Sequence, residues 1–251
     1  MTTLSDMTAV ILAGGQGTRL RQILPDMPKA LADINGRPFI SFLLNRLEHF
    51  GLGRVVLCTG YLGNMIEEAL GDRHGQLRLI YSQEPAPLGT GGALAHARPL
   101  LPAEDPVLIL NGDSYCHADL GQFYARFPED QARAAMLLTH LPDTGRYGRV
   151  ELDAAGRITA FHEKNPDKGP GWINAGVYLL EAAVVAAIPD KRPCSLEKDV
   201  FPGLAGGGGG LSGFFTKDEF IDIGTPEDYQ NAPAFFANLD KKSDKKSDKK
   251  S

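Results

Sequence analysis

Three glycines crowd the stretch Gly14-Gly15-Gln16-Gly17, and Thr18 and Arg19 follow at once. Glycine lets a backbone turn tightly and leaves its N–H groups free to face an anion. Arg19 supplies a planar cation suited to phosphate oxygens, and Lys29 adds a point charge further on. These residue types and spacings could bind a phosphate, although an ordinary strand–turn with two surface cations has the same composition. Two common phosphate loops are excluded. A Walker loop closes on Gly-Lys-Ser/Thr, which does not follow Gly17. A dinucleotide fingerprint needs a third glycine, and Gly15-Gln16-Gly17-Thr18-Arg19-Leu20 lacks it, which counts against a nicotinamide oxidoreductase.

Further blocks carry groups that could do chemistry. In Glu84 to Ala93 (EPAPLGTGGA), Pro85 and Pro87 stiffen the approach. Gly89, Gly91 and Gly92, with Thr90 among them, would let a flat ligand lie against bare backbone. In Leu110-Asn111-Gly112-Asp113-Ser114, Asp113 follows an apolar run, at the end of a strand where open α/β sheets place ligand groups. It reads either as a ligand group or as a cap. Asp222 stands between Ile221 and Ile223, where an unpaired carboxylate would be costly. Glu163 and Lys164, taken alone, read as a solvated pair. Trp172, the single tryptophan, fits a pocket wall or a core equally well. The six histidines match no triad or metal spacing.

The elements that must position these groups alternate. The apolar run Ala9–Ala13 reads as a buried parallel strand, and Phe39–Phe50 as a helix stopped by Gly51. Val55–Thr59 is a strand, Leu62–Leu70 a helix, Leu77–Tyr81 a strand, Gly89–Arg98 a glycine-opened helix and Val107–Leu110 a buried strand. This order implies an α/β fold with a Rossmann-like, mostly parallel sheet flanked by helices. After Asp119 the pattern changes. Ala134–His140, Gly148–Leu152, Arg157–Glu163 and Trp172–Leu179 are strand-like, and Asp153–Gly156 is a hairpin turn. Short helices are expected over Glu181–Ala187, Leu196–Phe201 and Pro226–Phe236, with a flexible glycine loop over Ala205–Gly210. The second half thus forms a β extension facing the first across a cleft. The expectation is a single domain over residues 1–239, its halves about 1–118 and 119–239.

Composition narrows the class. A chain of 251 residues with 43% hydrophobic content can bury one large α/β core. No apolar run reaches the roughly eighteen residues of a membrane span, and no signal-peptide pattern opens the chain, so a cytoplasmic protein is expected. Cys58, Cys116 and Cys194 are an odd count without metal spacing and read as reduced structural thiols. Residues 240–251 (DKKSDKKSDKKS) hold six Lys and three Asp, leaving 20 basic and 28 acidic residues for the rest. That balance argues against a nucleic-acid partner. The apolar-free tail is expected to be disordered.

LAGGQGTRL followed by Pro28-Lys29, with the three later blocks, resembles the sugar-phosphate nucleotidylyltransferases over about residues 8–232. Ala30 departs from the Pro or Leu common there, and Phe220 replaces the Trp of the motif around Asp222. The resemblance is strongest to the guanylyltransferases of D-glycero-α-D-manno-heptose 1-phosphate. Mannose 1-phosphate guanylyltransferases and muramic-acid uridylyltransferases follow closely. It implies a reaction of GTP with a sugar 1-phosphate, giving GDP-sugar and pyrophosphate, with Mg²⁺ on Asp113 and Asp222. Leu12, Ala13, Gly14, Gly15, Gly17, Thr18, Glu84, Gly89 and Thr90 would then border the nucleotide. Gly148, Glu163, Lys164, Trp172, Asn174 and Ala175 would border the sugar. Arg19, Lys29, Asp113 and Lys164 would carry the catalytic charge. A homodimer is compatible with this reading, and so is a silent homologue that binds a sugar nucleotide and regulates a partner. Glu84 favours guanine among the bases. A carboxylate only accepts hydrogen bonds, and guanine offers it the adjacent N1–H and 2-amino donors, whereas uracil flanks one N–H with carbonyls.

Overall fold

The computed structural model describes residues 3–103, 106–162, 169–190, 192–206 and 210–247. The first half contains strands β1 (Thr8–Leu12), β2 (Asp33–Ile34) and β3 (Arg37–Pro38), then helix α1 (Phe39–His49) and β4 (Arg54–Thr59). Helix α2 (Gly63–Leu70), β5 (Arg73–His74), β6 (Leu77–Gln83), α3 (Gly89–Ala97), β7 (Val107–Asn111) and β8 (Ser114–Cys116) follow. The second half contains α4 (Leu120–Arg126), β9 (Ala134–Leu141), β10 (Arg149–Leu152), β11 (Ile158–His162), β12 (Gly171–Leu180) and α5 (Ala182–Ala187). Helix α6 (Phe201–Gly206), β13 (Leu211–Thr216), β14 (Phe220–Asp222) and α7 (Pro226–Ser247) complete it.

Strands β7, β1, β4 and β6 lie side by side and parallel, as the apolar runs imply. Parallel strands buried on both faces carry apolar residues at every position, and the period of two sorts them. Ile11, Leu57 and Leu110 face one way, under α1 and α7. Val10, Val56 and Ile109 face the other, under α3 and α5. Helix α1 ends at Gly51, whose φ of +79° a side chain would resist.

Beyond β7 the sheet turns antiparallel. β12 pairs with β7, β9 and β10, and β11 closes the edge beside β10. β13 runs parallel to β9. A separate ribbon, β8 with β14, sets Ser114 opposite Asp222. This is the β extension expected from the second half.

Two expectations change. The region from Leu196 is a π-helical turn (Leu196–Val200) that passes directly into α6, so Ala205 and Gly206 end a helix, and residues 207–209 lie outside the described residues. Helix α7 continues through Ser247, where the sequence led us to expect disorder from residue 240. Lys and Asp do not break a helix already formed by residues 226–239, and these turns have side-chain anchors. Asp240 pairs with Arg37, and Lys242 with Glu219.

Candidate active site

A cavity of about 390 Å³ opens at the C-terminal ends of β1 and β7. After β1, Ala13 N–H donates to Cys58 O at 2.8 Å, and the chain then leaves the sheet. Gly17 turns it with φ of +57°, and its carbonyl accepts from the N–H groups of Leu20 and Arg21. Thr18 and Arg19 are thereby left exposed on the cavity rim. Gly112 must be glycine, because a Cβ there would lie 2.8 Å from Leu12 O. That close approach lets Asp113 turn into the cavity, with its side chain 47% exposed.

Lys29 Nζ donates to Asp113 Oδ2 at 2.8 Å. The sequence separates these two charges widely; the fold makes them a pair. Asp222 reaches the same end of the ribbon because β14 pairs with β8 and Ile223 N–H donates to Asp113 O at 2.9 Å. Asp222 Oδ1 accepts from Gly224 N–H at 2.7 Å, and Gly224 lines the cavity. Burial raises the Tyr147 phenol, and the Asp222 carboxylate beside it raises it further. Phe220, in place of the expected Trp, meets the Tyr147 ring edge-on at 6.0 Å. Among the described residues no group of three or more His, Cys, Asp or Glu could hold a metal; Asp113 lines the cavity and Asp222 does not.

Glu84 is half-buried and lines the same cavity. Its Oε2 accepts from Leu88 N–H at 2.8 Å. Its Oε1 rests against bare backbone: a Cβ on Gly14 would lie 2.2 Å from it, and one on Gly60 2.8 Å. Burial raises the carboxyl above the ordinary range, with the Leu88 N–H and His96 pulling the other way. Gly60 has no local signature and was missed in the sequence; only the parallel register brings it under Glu84.

The cavity gathers Leu12, Ala13, Gly14, Gly15, Gly17, Thr18, Arg19, Lys29, Glu84, Gly89, Thr90 and Asp113. It adds Asn111, which sequence reasoning quoted within a motif and gave no role. Gly91 and Gly92 do not offer bare backbone to a ligand. Both their N–H groups donate to Cys194 O, at 2.9 and 3.0 Å, and a Cβ on Gly91 would meet Cys194 Sγ at 2.9 Å. Trp172 does not line the cavity either; it meets His140 and Phe215 edge-on at 5.2 and 4.9 Å. Gly148 precedes β10 and Ala175 is buried in the core, both outside the cavity lining. Asn174 bonds to Tyr178 behind the wall. Glu163 and Lys164 lie outside the described residues.

Residues 8–238 match the nucleotidyl transferase family. The chain belongs to that family. A D-glycero-alpha-D-manno-heptose 1-phosphate guanylyltransferase of Aneurinibacillus thermoaerophilus is 36% identical over 90% of this chain and 96% of its own length. A Mycobacterium tuberculosis mannose-1-phosphate guanylyltransferase is likewise 36% identical over 90% of this chain, which spans 63% of that longer protein. The crystal structure of HddC from Yersinia pseudotuberculosis complexed with GMP-PN superposes with a TM-score of 0.81 and 33% identity, covering 92% of this chain and 99% of that one. This nucleotidyl transferase therefore shares its fold, over 92% of the chain, with that solved structure.

Proposed function

We propose that the protein transfers a guanylyl group from GTP to a sugar 1-phosphate, best D-glycero-α-D-manno-heptose 1-phosphate, releasing pyrophosphate. The observation that carries the base assignment is Glu84: an acceptor-only side chain, pinned by Leu88 N–H and seated on Gly14 and Gly60 in the cavity wall. The relatives carry the sugar assignment, with heptose and mannose 1-phosphate guanylyltransferases at 34–36% identity.

The attacking oxygen of a sugar 1-phosphate is already anionic, so no general base is needed. Catalysis is alignment and charge neutralisation of an in-line displacement at the α-phosphorus. Arg19 and the N–H groups of the Gly14–Gly17 turn would hold the outer phosphates and stabilise the departing pyrophosphate. Lys29, tied to Asp113, would place positive charge beside the phosphates. Lys164 and Glu163 would receive the sugar phosphate and sugar hydroxyls. Asp113 and Asp222 would hold Mg²⁺, which when bound supplies charge neutralisation at the phosphates. Among the described residues no helix is long and apolar enough to cross a membrane, and this reading places the enzyme in the cytoplasm.

The test is pyrophosphate release from GTP, ATP, UTP and dTTP, each with heptose, mannose and N-acetylmuramate 1-phosphates. GTP with the heptose 1-phosphate should give the highest kcat/KM. Preference for UTP would overturn the guanylyl assignment, and preference for mannose 1-phosphate the heptose assignment. Tight GDP-sugar binding without turnover would identify a regulatory homologue.

A further inference from the structure

Residues 194–197 form a strap to which the sequence assigned no chemistry. It lies across residues 88–92 at the start of α3, where Gly89 and Thr90 line the cavity together with Glu84. The approach excludes a side chain: a Cβ on Gly89 would stand 2.6 Å from Cys194 O, and the Gly89 φ is +73°. Cys194 N–H donates to Leu88 O at 2.8 Å, and Cys194 O accepts from the N–H groups of Gly91 and Gly92. Leu196 N–H donates to Thr90 Oγ1 at 2.8 Å.

Glu197 anchors this strap. Its carboxylate takes three hydroxyl donors: Tyr178 on Oε1 at 3.2 Å, and Thr90 and Ser195 on Oε2, both at 2.8 Å. The directions follow from the chemistry, since a carboxylate only accepts. An amide in its place would offer one acceptor oxygen to three donors, and a charged acceptor makes each bond stronger than a neutral one would. Tyr178 is fully buried on β12 and accepts from Asn174 Nδ2 at 2.8 Å, so the far end of this chain of bonds is fixed in the core. The Thr90 hydroxyl gives its proton to Glu197 and accepts from Leu196. That proton is not available to a ligand, and Thr90 serves the cavity by its position.

The near end reaches Glu84. Leu88, whose carbonyl is held by Cys194, donates its own N–H to Glu84 Oε2 at 2.8 Å. A continuous path thus runs from the Tyr178 hydroxyl through Glu197, the strap backbone and Leu88 to the Glu84 carboxylate. We propose that Glu197 is a positioning residue for nucleotide selection: it clamps the strap onto the start of α3 and so holds Glu84 in the orientation that reads the base. This rests on the reading of Glu84 as the acceptor for guanine and adds what keeps that acceptor in place. A preorganised acceptor discriminates better, since none of the binding free energy goes into ordering it.

The experiment compares GTP with inosine triphosphate (ITP), which has the same outline but lacks the 2-amino donor. It reads calorimetric Kd values, and kcat and KM of pyrophosphate release with mannose 1-phosphate. Glu197→Ala should weaken GTP binding about tenfold, the loss expected of a charge-assisted bond, and ITP binding less, so that the preference for GTP shrinks. Its kcat at saturating GTP should stay within about threefold of wild type, because among the described residues Arg19, Lys29 and Asp113 take no bond from the strap. Thr90→Val removes the same bond while keeping the shape and should show the same smaller preference; Thr90→Ser should lose less. Combining Glu197→Ala with Thr90→Val should do little more than the poorer single change. An unchanged GTP/ITP preference in folded Glu197→Ala, or effects of the two changes that simply add, would overturn the clamp. So would a fall in kcat at constant KM, which would put Glu197 in the chemical step. If Glu197→Ala does not fold, Thr90→Val against Thr90→Ser decides, equal losses overturning the proposal. A wild type that binds GTP and ITP equally well fails the Glu84 reading by itself. The Kd for GTP then judges the clamp, equal values in wild type and Glu197→Ala overturning it.

Discussion

At the residue scale, charge and hydrogen-bond direction set the roles. Glu84 accepts but cannot donate, and its carboxyl is raised by burial. Glu84→Gln should remove most of the preference for GTP over UTP, read as the ratio of their kcat/KM values. The wild-type KM for GTP should also climb as the carboxylate takes up its proton, at a higher pH than an exposed Glu would, while the Gln variant stays flat there. A pH-independent wild-type KM across the acid limb would remove Glu84 from base recognition. Arg19 stands exposed on the rim and, among the described residues, makes no ion pair like the one that holds Lys29 to Asp113. Arg19→Ala should therefore lower kcat more than it raises KM for the sugar phosphate. Asp113→Ala or Asp222→Ala should cut turnover by roughly a hundredfold or more if these carboxylates hold the catalytic cation. Normal turnover in both would dismiss them as its ligands.

At the element scale, one loop of the second half is tied to a helix by specific bonds. The loop before β10 is fastened to the start of α7: Arg146 pairs with both carboxylate oxygens of Asp228, and Thr225 Oγ1 donates to Asp228 Oδ2 at 2.6 Å. Burial alone would raise the Asp228 carboxyl, but Arg146, Thr225 and the nearby Lys29 outweigh it and hold it below 3.8. A carboxyl lowered on folding stabilises the protein above its unfolded pKa, and that contribution is lost as pH falls through the lower folded value. Partial exposure limits it to about 1 kcal/mol. Asp228→Asn should lower Tm by roughly 2–4 °C at neutral pH. The two melting curves should converge in acid below pH 3.8, the range set by that lowered carboxyl. A constant gap at every pH would show that the ion pair is not its source.

At the scale of the whole molecule, α7 closes the first core. Phe236 is 2% exposed and stacks on Phe42 with 3.8 Å between ring centroids. Phe236→Ala should cost about 3–5 kcal/mol through lost burial and the cavity left behind. Among the described residues, removing 240–251 takes away the Asp240–Arg37 and Lys242–Glu219 pairs, each worth about 0–1 kcal/mol. The truncated protein should melt within a few degrees of the full chain and keep its kcat/KM, as differential scanning calorimetry and the pyrophosphate assay would show. A collapse of Tm on truncation would give the last turns of α7 a structural role larger than those two pairs supply.

The sequence by itself determined the alternation of strand and helix, the glycine turn after β1 and the acidic position after β7. Those features are local: an apolar run of strand length, a glycine where the backbone must turn, a polar group at a strand end. It also marked Asp222, because a carboxylate between two isoleucines is expensive without a partner. Only the tertiary structure decided what each group faces. Glu84 rests on Gly14 and Gly60 because β1, β4 and β6 lie in parallel register. Gly91 and Gly92, which looked open to a ligand, are covered by Cys194 from a distant strap. Trp172 went to a packed surface cluster with His140 and Phe215. Hydrogen-bond direction and strand register arise between segments far apart in the chain, so no local spacing encodes them.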